Sequence, residues 1–225
     1  LCAPFFPPRT PVRISALYVK TSPEEMIYYQ PLSETYFESC NELLNTFYAS
    51  KDFCNCISFS NCLGTQEEFA RFYRLHPESL ETVIVAIEVL GENGESDLGG
   101  GVVIGCVKVS ATEYPRTSSD DFIHTPKPEE AYVSTLCVSS QARGKGVGGR
   151  LLEHAEALAR KLNKKKLTLE VLNANPAERL YARFGFERVH EGKAEKCLND
   201  FFACCLVGKR EHGKYGRTKM EKTLL

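Results

Sequence analysis

Apolar residues recur along this chain with two different periods. From about Ser33 to Tyr48 they fall at Tyr36, Phe37, Cys40, Leu43, Leu44 and Phe47, the three-and-four spacing of one helical face. Gln66–Leu75 (QEEFARFYRL) reads as a second short helix, ended before Pro77. In Val147–Leu162, the residues Val147, Leu151, Ala155, Leu158 and Leu162 share one face, and the tail KLNKKK places positive charge at the negative end of the helix dipole. Strand-like runs occupy Val12–Val19, Thr82–Leu90, Gly101–Val109, Ala131–Val138 and Lys166–Leu172. The last of these alternates Leu167, Leu169 and Val171 against Thr168, Glu170 and Leu172. The turn-rich GENGESDLGG predicts a hairpin with a loose tip. A short helix over Ala177–Phe184, a strand at FERVH and a closing strand near Lys214–Thr223 complete the set. Ser110–Glu130 is polar and holds three prolines; a loop of that length in a compact domain is usually functional or disordered.

Antiparallel neighbours thus come first and a strand–helix–strand crossover later. The crossover should make parallel neighbours of the strands ending at Val138 and Leu172. No internal repeat or break in composition divides the chain, so one domain over residues 12–225 is expected, behind a proline-rich leader at 1–11. That leader, LCAPFFPPRTP, is too short and interrupted for a signal peptide, and it fits a trimmed end.

Composition narrows the partners. The chain has 225 residues, enough for one well-buried core, and a net charge of −1, which gives no basic field for nucleic acid. No apolar run of about 18 residues is present to span a membrane. Ten cysteines include two groups, Cys54, Cys56, Cys62 and Cys197, Cys204, Cys205, neither with the paired spacing of a zinc site. Structural or incidental thiols are the expectation, with a metal site or disulfides as the alternatives. Cys106 and Cys137 fall inside strands, where a thiol acts as a small hydrophobe. A reducing, intracellular (cytoplasmic) setting fits this usage. The oligomeric state is open, a homodimer included.

The sharpest local signal is GKGVGG, Gly144–Gly149, at the start of the third helix. It spells G-x-G-x-x-G, with Glu170 about 20 positions on, as in a dinucleotide loop. Five residues separate Val138 from Gly144, however, and too few alternating units flank the motif for a doubly wound sheet. A phosphate loop ending in G-K-[ST] fails, since Arg150 and Leu151 follow Gly149. A plain glycine hinge is the bland alternative. The residues before the glycines point elsewhere: Gln141-Ala142-Arg143-Gly144-Lys145-Gly146 fits Q/R-x-x-G-x-G/A. With YVSTLCV before it, and LEV and then N-x-A-x-x-LY-x-x-x-GF after it, the stretch from Ala131 to about Val189 (motif core 131–190) resembles the GCN5-related N-acetyltransferase (GNAT) family.

The resemblance implies an α/β (mixed α+β) single domain, with a central mixed, mostly antiparallel sheet of six to seven strands flanked by helices. It also implies acetyl-CoA as cosubstrate and direct transfer of its acetyl group to a primary amine of a small molecule or a peptide. A non-catalytic acyl-CoA-binding module is the alternative. A helix N-terminus offers unpaired N–H groups to a diphosphate. Glycines at 144, 146 and 148 would let that diphosphate approach, and Arg143 and Lys145 would add charge. The implied cofactor-binding residues are Leu136, Cys137 and Val138 along the strand, then Arg143, Gly144, Lys145, Gly146, Val147, Gly148 and Gly149, and Asn175, with Asn173 as its rival. A backbone N–H near Cys137 would meet the oxyanion. Tyr181 corresponds to the family's general acid and Glu170 to a base found in ribosomal-protein N-terminal acetyltransferases. In many relatives an acidic residue stands where this chain has Ser134, so Glu113, Asp120, Asp121, Glu129 and Glu130 also come into question for the amine. The acidic loop would suit a cationic amine or a lysine-bearing peptide. Cys137 lacks a neighbouring histidine, which disfavours a covalent acyl-enzyme. His154 is expected as a partly exposed helix residue. No residue set suggests a metal.

Overall fold

The computed structural model describes residues 17–20, 25–49, 66–90, 101–116, 124–173, 175–189 and 217–224. The leader, Val12–Ala16, both cysteine groups, the hairpin tip, Asp120 and Asp121, and the segment at 190–216 lie outside the described residues.

The elements run β1 (Leu17–Lys20), β2 (Glu25–Pro31), α1 (Phe37–Ala49), α2 (Gln66–Leu75), β3 (Val83–Leu90), β4 (Val102–Ser110), β5 (Glu130–Val138), α3 (Val147–Lys161), β6 (Lys166–Leu172), α4 (Ala177–Arg183), β7 (Glu187–Arg188) and β8 (Arg217–Thr223). They form one sheet in the order β1-β2-β3-β4-β5-β6-β8-β7. The β5–β6 pair is parallel, as the crossover through α3 requires, and the other six pairs are antiparallel. The mixed, mostly antiparallel class therefore holds. The sheet has eight strands instead of six or seven because β2 lacks a strand pattern in sequence. Its Ile27, Tyr28 and Tyr29 are buried in succession, since helices cover both faces there, and the alternation of a half-exposed strand is lost.

Two apolar layers sandwich the sheet. On one face, α3 packs Val147, Leu151, Leu152, Ala155, Leu158 and Ala159 against Ile84, Val107, Val133, Leu167 and Leu169. On the other, Phe37, Cys40 and Leu44 of α1 and Tyr73 of α2 lie against Val83, Val85, Cys106 and Cys137. Cys40, Cys106 and Cys137 are free and buried, with the Cys106 and Cys137 sulfurs 3.4 Å apart. Bonding with Cys137 and Cys40, together with burial, pushes the Cys106 thiol well up.

His154 departs from expectation. It is buried, and its ring stacks on Tyr29 at 5.5 Å, because α3 faces β2 as well as the central strands. Burial lowers its pKa. The unfolded chain thus takes up this proton first as pH falls. The stability that the neutral ring contributes is full above the ordinary histidine pKa of about 6.5 and is lost below it. His154→Phe keeps a ring against Tyr29 and is expected to flatten the loss of melting temperature between about pH 7 and 5. An unchanged acid slope in thermal melts would assign that slope to other groups.

Lys164 also departs from expectation. Helix α3 ends with Asn163 at φ 55°, and the Lys164 N–H bonds back to the Ala159 carbonyl, closing the last turn. This turns the Lys164 side chain inward, to 1% exposure, instead of out into water at the helix end. Its Nζ donates to Pro128 O (2.6 Å), Glu113 Oε1 (2.7 Å) and Thr112 Oγ1 (3.3 Å). One buried ammonium therefore ties together both ends of the loop that leaves β4 and enters β5.

Candidate active site

The site begins with one extra residue in β5. Val109 pairs with Val133 and Lys108 with Thr135, so Ser134 has no opposite number on β4. Such a bulge bends its strand. The parallel pairing of β5 with β6 stops at this point, with Val133 and Leu169 the last pair. Beyond it β5 stays on β4 as far as Val138, while Glu170–Leu172 continue on β8. The two strands thus fork. Along Ser134–Val138 the edge of β5 that faces the fork has no strand partner among the described residues, which leaves room for an extended ligand to lie along it.

The chain leaves β5 through a short turn and enters α3. Gly144 and Gly146 sit at φ 83° and 82°, where a side chain costs roughly 1–2 kcal/mol. Gly146 is the N-cap and contributes no side chain, and a Cβ at Gly144, Gly146 or Gly149 would meet open space. The helix therefore presents an uncapped positive end to an unobstructed approach, which fits a diphosphate. Gly148 also has a packing reason to be glycine. A Cβ there would lie 3.2 Å from Leu180 Cδ2 and 3.7 Å from Val138 Cγ2. This glycine lets Leu180 of α4 and the end of β5 close against the first turn of α3, and Tyr181 follows Leu180 on α4.

Tyr181 is buried, its ring 6.1 Å from Phe186 in an edge contact. Its hydroxyl has no hydrogen-bond partner among the described residues. Burial pushes the phenol up to about 12, so it stays protonated across the ordinary pH range.

The remaining sequence candidates divide. Leu136 and Val138 are half-buried along the fork, whereas the Cys137 thiol is sequestered with Cys106, leaving Cys137 its backbone to offer. Arg143 is exposed and its Nε reaches the Val138 carbonyl at 3.4 Å. Lys145 Nζ lies 3.4 Å from Glu88 Oε1, so a phosphate would compete with that carboxylate for it. Val147 is buried in the core. Asn175 Oδ1 accepts from the Ala177 N–H and starts α4, and Asn173 Oδ1 accepts from Thr218. Glu170 stands on the β6 arm of the fork, 10% exposed, with Oε2 2.5 Å from Arg217 Nη1.

Of the loop acids, two are corrected. Glu113 is committed to Lys164. Glu130 is a 1%-exposed strand residue that accepts from Thr168 Oγ1 (2.5 Å) and from the Lys127 N–H (3.1 Å), with His124 Nε2 at 3.2 Å. Burial alone would raise its pKa, but these bonds outweigh burial and hold it at about 2. Neither carboxylate is free to meet an amine. His124 carries no sequence motif, and only its contact with Glu130 brings it to notice. Among the described residues no cluster of His, Cys, Asp or Glu could hold a metal, and no helix is long and apolar enough to cross a membrane.

The chain resembles known proteins in fold over most of its length. An acetyltransferase of the GNAT family from Streptococcus pneumoniae superposes with a TM-score of 0.58 at 18% identity, over 88% of this chain and 99% of that one. The yncA protein of Salmonella typhimurium, solved with its cofactor acetyl-CoA, gives 0.57 at 17%, over 88% and 94%. A chain of the NatC complex bound to Gag peptide and CoA gives 0.54 at 18%, over 88% and 99%. No protein of curated function matches the sequence significantly. The model of the Acetyltransferase (GNAT) family matches residues 55–186, more than half of the chain and the whole of the fork, the glycine turn and Tyr181. The chain belongs to the acetyltransferase (GNAT) family.

Proposed function

We propose that this protein is an acetyl-CoA-dependent N-acetyltransferase that passes the acetyl group directly to a primary amine. The observation that carries this reading is the contact, at Gly148, between the uncapped first turn of α3, the end of β5 where its pairing with β6 has stopped, and Leu180, the residue before the buried phenol of Tyr181. Acetyl-CoA suits each in turn. Its diphosphate fits the N–H groups of the glycine turn over Gly144–Gly149, with Arg143 and Lys145 at hand. Its extended pantetheine arm matches the free edge at Leu136, Cys137 and Val138. The Asn175 side-chain amide, whose oxygen is already used, keeps N–H groups to donate. The likeness in fold to proteins solved with CoA or acetyl-CoA supports the same ligand here.

In this reading the amine attacks the thioester carbonyl, and a β5 backbone N–H near Cys137 meets the oxyanion. The C–S bond then breaks, and the departing thiolate takes the Tyr181 proton. Glu170, the sequence candidate for the base, stands at the fork but would have to accept a proton against its pairing with Arg217. The unit of function is the single domain at 12–225, and the free buried thiols Cys40, Cys106 and Cys137 support a reducing compartment. The test is release of CoA thiol from acetyl-CoA in the presence of spermine, a lysine peptide or a peptide with a free N-terminus. Amine-dependent release with a matching acetylated product supports the reading. Cofactor binding with no acetylated product from any of the three would leave only an acyl-CoA-binding module.

A further inference from the structure

Tyr181 gives a proton, and the amine must lose one. A second titratable group lies over the seam of the fork. His124 stacks on Tyr132 with ring centroids 4.3 Å apart, and Tyr132 pairs with Thr168 one step before the strands separate. The His124 Nε2 to Glu130 Oε1 distance is 3.2 Å, and the histidine is 16% exposed where the glutamate is 1% exposed. Glu130 is surrounded by Thr168 of β6, the Lys127 N–H of the loop, and Lys219 of β8 at 3.9 Å. The Glu170–Arg217 pair lies farther along the same arm. A carboxylate only accepts, so Nε2 carries the hydrogen, and in the neutral ring Nδ1 then has the lone pair. The enclosed carboxylate cannot reach a substrate, whereas its ring partner is partly exposed.

We propose that His124 takes the proton of the acceptor amine at Nδ1, directly or through one water, while Glu130 orients the ring and stabilises the imidazolium. This rests on the acetyl-transfer reading above. Of the two protons that a substrate ammonium loses, one leaves through His124 to solvent. The other replaces the proton that Tyr181 hands to the thiolate, as the C–N bond forms and the C–S bond breaks.

The test is the pH dependence of kcat/KM with acetyl-CoA and the three acceptors named above. His124→Gln keeps an N–H for Glu130 but has no proton acceptor of comparable basicity. Its kcat/KM is expected to fall about 100-fold near pH 7. The deficit should narrow as pH nears the pKa of the amine itself, where the substrate arrives neutral. Added imidazole should restore part of the rate to His124→Ala. An unchanged acetyl-CoA thermal shift shows that each variant is folded. Wild-type rates in His124→Gln would overturn the proposal, as would a loss equal at every pH without imidazole rescue, the mark of a merely structural ring. A protein that binds acetyl-CoA yet acetylates none of the three would overturn the transferase reading, and the role of His124 with it.

Discussion

Replacing Tyr181 with Phe is expected to lower kcat about 100-fold or more while leaving the affinity for CoA unchanged. The ring packs against Phe186 within the α3-side core, and Phe preserves that contact. What is lost is a single O–H, which no described residue engages. A phenol pushed up to about 12 stays protonated throughout any practical assay range, so Tyr181 should add no falling limb to the wild-type profile. At that value it is a weaker acid than a free thiol in water, so the transfer requires that the thiolate leave into the same buried surroundings, which raise its basicity as well. Single-turnover kinetics with matched CoA titrations would separate the effects. A variant with unaltered turnover would mean that solvent or another group protonates the thiolate. A variant with weakened CoA binding would place the hydroxyl on the cofactor instead of on the reaction.

Lys164→Ala should cost about 3 kcal/mol of stability, the low end for removing one partner of a buried ion pair. The ammonium is 1% exposed and Glu113 is 25% exposed, so water can relieve only part of the stranded charge. The Pro128 carbonyl and the Thr112 hydroxyl lose their donor as well. In a domain of this size the loss corresponds to about 6–12 °C in Tm. Adding Glu113→Gln to Lys164→Met should recover part of it, because no unpaired charge is left behind. A loss of only about 0.5 kcal/mol in denaturant titrations would put this pair in the class of hydrated surface bridges.

These two residues mark the boundary of what the sequence conveys. Tyr181 is legible because its motif is local: LY stands at a fixed remove from LEV and the glycine turn. Periodicity likewise places α2 and β6 to the residue, since each has one clearly apolar face. Lys164 is not legible. KLNKKK reads as positive charge at the end of a helix, and the acceptor that draws one lysine inside lies 51 residues away. Glu130 reads as a loop acid for the same reason, its partner Thr168 being 38 residues on. His124 acquires meaning only once β5 and β6 are paired beneath it. The packing of Gly148 against Leu180 is a tertiary fact that the glycine motif does not convey. Strand β2 escaped because burial on both faces erases the alternation that marks a strand.

The central claim is that the fork and the glycine turn hold acetyl-CoA. The most direct measurement is a thermal melt with acetyl-CoA, with NADH as the competing diphosphate ligand. At about 100 times its dissociation constant a bound ligand adds about 2.7 kcal/mol, or roughly 5 to 11 °C for a domain of this size. A rise of that order with acetyl-CoA and none with NADH is the predicted result. A rise with NADH alone would make Gly144–Gly149 a dinucleotide loop and contradict the account.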